Sequence, residues 1–469
     1  MSLQCPNVVF KLQPKTFCAA AVADFMDVYM NDFSEFGIQI PEILLPAKKD
    51  LSTWSVIACD QYTQDLSYWK KVEEIVSTSP STLNLILPEV YLNSADRKDR
   101  IEKIKSTMKN YLSENIFDKG EKEFIYIERK TQYGRCRSGL VCAIDLDSYE
   151  WEPFSKSFIR ATEATIVDRI PPRKEIRNGA ALELPHIMLL VNDEKKSFVE
   201  KCGQLAKKNA PLYDGDLMMN AGHITGWAVK SDEEMQNLYD ALKEIKSRNT
   251  DADGSSFMFA VGDGNHSLAT AKAVWDQYKK ENTDDKNSSV RYALVEIVNI
   301  YDEGLTFEPI HRVLFNADAK KLISFVKENL DGKLSECQDE KSLEEKVHSS
   351  TSSFGFVYRE NNLQKYILLE CDLKELAVSR LQPLLDDFIS GENQNGNQNE
   401  KIQIDYIHGS NEVFRLGKED KTLTILLPPI AKDSFFDTIQ KRGPLPRKSF
   451  SMGEASEKRF YLECRKLFK

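Results

Sequence analysis

Four polar side chains closely follow an apolar run of the chain. Residues 257–261 (FMFAV) predict a buried strand, and the turn after them carries Asp263, Asn265, His266 and Ser267. The apolar residues beyond the turn recur at helical spacing, which predicts a helix there. The free N–H groups and the dipole of a helix N-terminus both favour negative charge. A carboxylate, an amide, an imidazole and a hydroxyl at this place can hold a metal ion, a phosphate and a transferable proton.

The same turn also has a purely structural interpretation. Asp-Gly is a common turn dipeptide, and Ser and Asn are common helix caps. Spacing alone leaves the two interpretations balanced, so the choice depends on the rest of the chain.

A second group of charged residues surrounds one carboxylate in residues 160–177. Glu163 lies there among Arg160, Arg169, Arg173 and Arg177. Arginine forks fit phosphate oxygens, and a carboxylate beside them can deprotonate a hydroxyl nucleophile. Two consecutive prolines predict a shaped loop rather than one helical face. The charges do not follow i, i+4 spacing, which favours a functional role over a solvated charged surface.

Further segments carry side chains that can bind anions. His186 precedes an apolar strand, where it either orients a ligand or packs in the core. His311 and Arg312 follow a proline and either bind a phosphate or carboxylate or cap a helix end. Lys448 and Arg459 lie in a basic, hydroxyl-rich C-terminal segment that predicts a loop running into a helix near residue 454, again suited to an anion.

One further pair has metal-ligand chemistry but too few members. Asp405 and His408 are three positions apart, and two ligands do not make a metal site.

The composition excludes several classes of protein. The 63 basic and 73 acidic residues give a net charge of −10, which opposes a nucleic-acid-binding surface. The nine cysteines include no CxxC pair and indicate a reducing compartment. Walker, GxGxxG, HExxH and GxSxG motifs are absent from the sequence. With no apolar run long enough to span a membrane, we expect a cytoplasmic protein without a membrane partner.

The pattern of elements predicts an α+β fold of several lobes, because strands and helices mix without a regular βαβ order. Predicted helices cover residues 17–33, 97–115, 231–248 and 264–281, with two more in 318–349. Predicted strands cover 51–60, 124–128, 137–146, 187–191, 291–299, 354–358 and 365–369. Residues 391–400 are polar and predict a surface loop. We divide the chain into an N-terminal lobe (1–150), a catalytic core (151–315) and a C-terminal lobe that closes the site (316–469).

Several blocks of the sequence together resemble one known family. VGDGNHSLATAKA is similar to the Asp-Gly-His-His-Arg-type signature of a widespread family long described as of unknown function. The blocks CDQYT, IRATEATIVDRIPPR, ELPHIMLL, ALVEIVNIYDEGLTFEPIHR, DYIHG and LPRKSFSMGEASEKRFYLE extend the resemblance to most of the chain. Members of this family resemble free serine kinases on a ParB/sulfiredoxin-like fold. The resemblance implies such a fold for the core and, as the closest known function, a pyrophosphate-dependent L-serine kinase.

The resemblance also implies roles for individual residues. Glu163 matches the glutamate that activates the serine hydroxyl, and Asp263 and His266 match the signature. Asn265 and Ser267 replace the usual first histidine and the arginine. The catalytic residues would be Glu163, Asp263 and His266. The phosphate ligands would be Arg160, Arg169, Arg173, Asn265, Ser267, Lys448 and Arg459. The substrate contacts would be Thr162, His186, His311 and Arg312, and Asp263 would hold Mg²⁺.

The two departures from the signature remove one cation from the phosphate pocket and put a nucleotide donor in doubt. Phosphoryl transfer requires in-line positioning and charge neutralisation, and pyrophosphate has no base or ribose to recognise. We therefore expect L-serine and pyrophosphate as ligands, Mg²⁺ as cofactor, and a product that feeds serine and cysteine metabolism. The alternatives are an ATP- or ADP-dependent kinase of serine or another small hydroxylated metabolite, and a non-catalytic ParB-like nucleotide- or DNA-binding module.

Overall fold

The computed structural model describes residues 32–165, 167–395 and 401–468. Helices and strands are mixed throughout these residues, which confirms the α+β class. Most of the helix predicted for 17–33 lies outside the described residues. Among the described helices, none combines the length and the apolar character that crossing a membrane requires.

One large mixed sheet carries the strands around the apolar run at 257–261. Met188–Val191 is parallel to Tyr292–Asn299 and antiparallel to Phe259–Asp263, which is parallel to Ile159–Ala161. The described strands of this large sheet, in spatial order, are Tyr213–Asp216, Gly222–Val229, Phe124–Thr131, Cys136–Asp145, Tyr292–Asn299, Met188–Val191, Phe259–Asp263, Ile159–Ala161 and Tyr149–Glu150, with Ile38–Gln39 paired to Cys136–Asp145. Its central strands are apolar and buried, as strands covered on both faces must be.

A second sheet is antiparallel and lies later in the chain; we call it the C-terminal sheet. Its described strands, in spatial order, are Lys333–Glu336, Leu363–Glu370, Ser353–Glu360, Thr422–Leu426, His311–Phe315 and Gln403–Ile407. The predicted hairpin within it is confirmed by the pairing of Ser353–Glu360 with Leu363–Glu370. Three two-stranded sheets pair Glu42–Ile43 with Glu121–Lys122, Phe307–Pro309 with Phe450–Met452, and Leu182–Glu183 with Arg465–Lys466.

The helices surround these sheets. The described α-helices are Leu51–Trp54, Leu66–Val76, Arg97–Ser113, Ile170–Arg177, Val199–Ala206, Asp232–Arg248, Asn265–Glu281, Ala319–Leu330, Glu340–His348, Ala377–Asn395, Ser410–Leu416 and Lys432–Arg442. The helices predicted for 97–115, 231–248, 264–281 and the two in 318–349 are thereby confirmed, close to their predicted bounds. A capping box between Ser231 and Glu234 begins the helix Asp232–Arg248.

The strand predicted for residues 51–60 is wrong. Residues 51–60 were expected to form a strand, but they begin with the helical turn Leu51–Trp54. The hydroxyls of Ser52 and Thr53 donate to the Asp50 carboxylate at 2.6 and 3.0 Å, which favours the turn. Local hydrogen bonds of this kind are not visible in an apolar pattern.

The paired prolines also do not form a loop. They lie in the first turn of the helix Ile170–Arg177. Backbone N–H groups in a first turn have no acceptor within the helix, so a proline there removes no hydrogen bond. Conversely, the helix expected near residue 454 is only the 3-10 turn Ala455–Glu457, and the chain is extended from Lys458 onward. The first half of the polar stretch 391–400 continues the helix Ala377–Asn395, and its second half lies outside the described residues.

The end of the chain returns to the large sheet. Bridges join Cys464 to Leu44, Phe460 to Ile57, and Leu445 to the loop that follows Ile159–Ala161. The C-terminal sheet is therefore an insertion between the large sheet and the last residues in the chain. The three lobe boundaries given above stay predictions.

Candidate active site

A polar cavity of about 1260 Å³ lies between the large sheet and the C-terminal sheet. The large-sheet side supplies residues of the Asp263 turn and the 160–177 segment, and the other side supplies residues near His311 and Lys448. The ionisable residues that line it are Asp60, Glu89, Glu163, Asp168, Arg169, Arg173, Asp263, His266, Glu308, His311, His348, His408, Lys448, Glu454 and Lys458. The structure thus brings segments far apart in sequence into one site.

The Asp263 turn lies at the floor of this cavity. Gly264 has a φ of 80° between the strand Phe259–Asp263 and the helix Asn265–Glu281. A side chain there would be strained, and its Cβ would lie 3.1 Å from Ile187. One oxygen of Asp263 accepts the Gly264 N–H at 3.0 Å, and the other lies 3.3 Å from the Lys458 ammonium. The glycine therefore lets the strand turn sharply and present the Asp263 carboxylate next to a helix N-terminus.

Asn265 and Thr162 hold the Asp263 turn and the 160–177 segment together. The Asn265 side chain accepts the Thr162 N–H and donates to the Thr162 hydroxyl, both at 3.3 Å. The Thr162 hydroxyl in turn donates to the carbonyl of Val261 at 2.5 Å. Thr162 is fully buried and does not line the cavity, which does not support its predicted substrate contact. Asn265 lines the cavity, but its amide is already engaged with Thr162, the residue before Glu163.

Glu163 is a half-buried carboxyl group with mixed electrostatic surroundings. Burial raises its pKa above the ordinary value, and Asp263 adds to this effect. Lys448, Lys458 and the N–H of Ser449 act in the opposite direction. A carboxylate with a raised pKa is well suited to accept a proton near neutral pH.

The large-sheet side of the cavity also carries two arginines and His266. Arg169 and Arg173 line the cavity, and Arg173 forms an ion pair with Glu89. Burial lowers the pKa of His266 to about 4, and the two nearby guanidinium groups also lower it. The imidazole is therefore neutral at neutral pH. It can donate one N–H to a phosphate oxygen, while the arginines supply the charge.

Ser267 and His186 belong to a hydrogen-bonded chain beside the cavity. The Ser267 hydroxyl lies 2.7 Å from Nε2 of His186, and the Tyr461 hydroxyl lies 3.0 Å from Nδ1. His186 lines a separate, mostly apolar cavity of about 140 Å³, and Ser267 borders both cavities. The predicted substrate contact of His186 is therefore not supported, because both ring nitrogens are engaged. Ser267 remains positioned to reach a phosphate.

Two predicted phosphate ligands, Arg160 and Arg459, do not line the cavity. Arg160 donates to the carbonyl of Ser157 at 3.0 Å and lies over the ring of Phe257. Arg459 is almost fully buried between the carboxylates of Glu296 and Glu463, and its role is structural. A sequence shows a basic residue without showing which carboxylates neutralise it.

His311 lines the cavity as expected, whereas Arg312 does not. Burial lowers the pKa of His311 to about 3, and its Nδ1 accepts the N–H of Leu427 at 3.1 Å. Arg312 is completely buried behind the wall and cannot contact a substrate in the cavity directly.

The predicted site residues do not include two histidines and one lysine that line the cavity. His348 ends the helix Glu340–His348, and His408 follows the strand Gln403–Ile407. Lys458 pairs with Asp263. The only signal for His408 was its spacing from Asp405, and the sequence contained none for His348.

The residues fit Mg²⁺ only when a phosphorylated ligand supplies further oxygens. Across the described part of the chain, no group of three or more His, Cys, Asp or Glu side chains is arranged to hold a metal ion. Mg²⁺ is often bound through one or two carboxylates together with substrate phosphates and water. Asp263, with Glu163 nearby, matches that mode and not a dedicated protein cage.

Comparison with known families identifies the class of protein. A model described as "Protein of unknown function (DUF1015)" matches residues 41–387, and the chain belongs to this family. A search of the curated proteins found no match.

Solved structures provide more distant likenesses. A conserved hypothetical protein from Pyrococcus furiosus is 12% identical, with a TM-score of 0.32 over 67% of this chain and 90% of that one. A free serine kinase in complex with AMP is 12% identical, with a TM-score of 0.33 over 67% and 88%. SbnI with a C-terminal truncation, from Staphylococcus aureus, is 7% identical, with a TM-score of 0.30 over 67% and 82%. These scores are too low to carry a functional argument, so a ParB/sulfiredoxin-like core stays a prediction.

Proposed function

We propose that this protein is a pyrophosphate-dependent L-serine kinase that forms O-phospho-L-serine and phosphate. The observation that carries the proposal is the meeting of Glu163, Asp263, Lys448 and Lys458 at a helix N-terminus inside one polar cavity. A base, an acidic group and several cations are what phosphoryl transfer to a hydroxyl requires. Serine as acceptor comes from the sequence resemblance.

Glu163 acts as the general base in this proposal. Its carboxylate takes the proton from the serine hydroxyl as the serine oxygen attacks one phosphorus of pyrophosphate. The bridging P–O bond breaks, and its electron pair leaves with the second phosphate. The base and the departing phosphate lie on opposite sides of the transferred group, because the displacement is in line.

The charge of pyrophosphate is balanced by both walls of the cavity. Lys448 and Lys458 lie close enough to Glu163 to lower its pKa, and Arg169 and Arg173 lie close enough to His266 to lower its pKa. The N-terminus of the helix Asn265–Glu281 adds backbone N–H groups and a favourable dipole. Mg²⁺, when bound through Asp263, would supply further charge neutralisation at the phosphate oxygens.

The raised pKa of Glu163 determines the expected pH dependence. A general base works only in its ionised form, so the rate falls as the pH drops through its pKa. Because burial and Asp263 raise this pKa, we expect the acid limb of the kcat profile to lie above 4.5, the ordinary value. Initial rates with saturating ligands across acid to neutral pH measure it. An acid limb at or below the ordinary value contradicts the assignment.

A nucleotide donor is the second candidate, and one observation favours it. The apolar cavity of about 140 Å³ shares Arg173 and Ser267 with the large cavity. An apolar cavity of about 150 Å³ can hold a ring the size of benzene. The purine of ATP or ADP is larger than benzene, so only one of its rings would enter the small cavity, with the phosphates of the nucleotide towards the Asp263 turn.

A donor panel tests both candidates directly. Purified protein is incubated with L-serine, Mg²⁺ and either pyrophosphate, ATP, ADP or polyphosphate, and O-phosphoserine is detected by ³¹P NMR. Product with pyrophosphate alone supports the proposal. Product with a nucleotide alone supports the second candidate, and no product with any donor contradicts both.

A further inference from the structure

Ser267, His186 and Tyr461 form a hydrogen-bonded triad at the border between the two cavities; we call it the Ser267 triad. The Ser267 hydroxyl lies 2.7 Å from Nε2 of His186, and the Tyr461 hydroxyl lies 3.0 Å from Nδ1 of the same ring. A hydroxyl bonded to an imidazole, which a third group holds at its other nitrogen, is the arrangement that activates a serine as a nucleophile. The proposed transfer to free serine uses Glu163 and gives this triad no chemical role.

Activation of Ser267 requires a lone pair on Nε2 of His186. A neutral ring with that lone pair carries its hydrogen on Nδ1, and the Tyr461 oxygen is then the acceptor of Nδ1–H. The same oxygen accepts the N–H of Cys59 at 3.2 Å, so it already acts as an acceptor at this place. We therefore assign the hydrogen to Nδ1, which leaves Nε2 able to take the proton of Ser267.

The two ends of the triad face different surroundings. Ser267 borders the large polar cavity, whereas His186 and Tyr461 line the small, mostly apolar cavity and not the large one. The base is thereby kept apart from the polar cavity, which the residue that it activates still borders. Ser267 lies in the first turn of the helix Asn265–Glu281, where side chains lean towards the start of the helix and so towards the Asp263 turn.

The groups around Ser267 are those that a phosphoryl donor requires. Arg169, Arg173 and His266 line the large cavity together with Ser267, and Arg173 also lines the small one. Backbone N–H groups in the first turn of a helix have no acceptor within the helix and are suited to an anion. A phosphate bound among these groups is therefore next to Ser267, whether or not a free serine occupies the cavity.

We propose that Ser267 is a site of self-phosphorylation, which takes a phosphoryl group from the donor when no free acceptor is bound. This inference rests on the proposed phosphoryl donor and goes beyond the proposed reaction with free serine. Oγ of Ser267 attacks one phosphorus of pyrophosphate, the bridging P–O bond breaks, and its electron pair leaves with the second phosphate. The proton of Ser267 passes to Nε2 of His186 and then to the phosphate that leaves. The phosphoryl group on Oγ, beside Arg169 and Arg173, then blocks the donor site.

Labelling in the absence of free serine tests the proposal. Purified protein is incubated with Mg²⁺ and either [³²P]pyrophosphate or [γ-³²P]ATP, and the label is located by mass spectrometry of peptides. We expect one phosphoryl group per chain, on Ser267, and a loss of kinase activity in proportion to the labelled fraction. No label from either donor, or label on another residue instead, overturns the proposal.

Two substitutions separate an activated nucleophile from a hydroxyl that is only close to the donor. Ser267→Ala should abolish labelling. His186→Gln keeps a polar side chain but cannot take the proton, so labelling should be about 10²–10⁴-fold slower, and a rate equal to that of the wild type overturns the role of the triad. If His186→Gln does not fold, Tyr461→Phe removes the partner of Nδ1 and should slow labelling by a smaller factor.

Ser451→Ala is the matched control for Ser267→Ala. Ser451 also lines the large cavity, but its hydroxyl donates to the carbonyl of Gly453 at 2.9 Å, and a carbonyl does not take the proton. We expect labelling of this variant at the rate of the wild type. An equal loss of label in both variants overturns the assignment of the label to Ser267.

The failure of this proposal and the failure of the proposed function give different results. O-phosphoserine formed from free serine, with no label on Ser267, overturns the self-phosphorylation alone. Label on Ser267 without O-phosphoserine from any donor contradicts the serine kinase and supports the self-phosphorylation. Where both products form, saturating L-serine should slow the labelling, because the two hydroxyls compete for the same phosphorus. A labelling rate that serine does not change overturns this competition.

Discussion

Glu163→Gln should lower kcat with serine and pyrophosphate by about 10²–10⁴-fold, the usual contribution of a general base. Glutamine keeps the size of the side chain, but it cannot take the proton from the serine hydroxyl. The substitution also removes a negative charge beside Lys448, so pyrophosphate should bind at least as tightly as in the wild type. Steady-state kinetics combined with the increase in Tm on adding pyrophosphate measure both effects.

Glu200→Gln is the matched control for this variant. Glu200 is also a carboxyl group whose pKa is raised by burial, and it accepts a hydrogen bond from Asn299 at 2.8 Å away from the cavity. We expect its kcat to match the wild type. Full activity of Glu163→Gln would contradict the assignment of Glu163 as the base, and an equal loss in both variants would indicate a general effect of altering a buried glutamate.

The Asp263 turn could be predicted from the sequence because its determinants are local. An apolar strand, a glycine with positive φ and a helix start follow one another directly, and the structure places the strand Phe259–Asp263 and the helix Asn265–Glu281 as expected. This order of strand, glycine and helix determines where the chain turns and places the side chains of the turn at the cavity. Local prediction worked where the neighbouring residues alone decide the conformation.

The partners of the charged residues could not be predicted in this way. Arg459 and Arg173 have similar sequence surroundings, yet one is buried between Glu296 and Glu463 and the other lines the cavity. The carboxylate Glu296 is 163 positions away from Arg459 in the chain. Such pairs are set by sheet topology, and a pattern of neighbouring residues contains no information about them.

The position of Arg312 shows the same limit. The sequence placed Arg312 beside His311 and suggested contact with the substrate, but neighbouring residues of a strand point to opposite faces. His311 therefore lines the cavity while Arg312 points behind it and contacts the backbone of Lys448. An arginine is suited to binding an anion, as predicted. The sequence analysis did not place His311 and Arg312 on a strand, so it did not show that their side chains lie on opposite faces.

The largest expected effect besides that of Glu163 belongs to Asp263→Asn. Asparagine keeps an oxygen for the Gly264 N–H, so the turn should survive, but it removes the negative charge next to Lys458. If Asp263 holds Mg²⁺, the concentration of Mg²⁺ for half-maximal rate should rise at least about 10–100-fold, with a similar or larger loss in kcat. Asp276→Asn is the matched control, because Asp276 also pairs with a lysine, Lys272, at 2.9 Å away from the cavity.

The pH profile of Asp263→Asn gives a second, independent test. The negative charge of Asp263 raises the pKa of Glu163, so its removal should move the acid limb of the kcat profile to lower pH. A shifted acid limb with an unchanged requirement for Mg²⁺ would show that Asp263 tunes the base without holding the metal. An unchanged limb would contradict the close electrostatic contact between the two carboxylates on which the proposed mechanism depends.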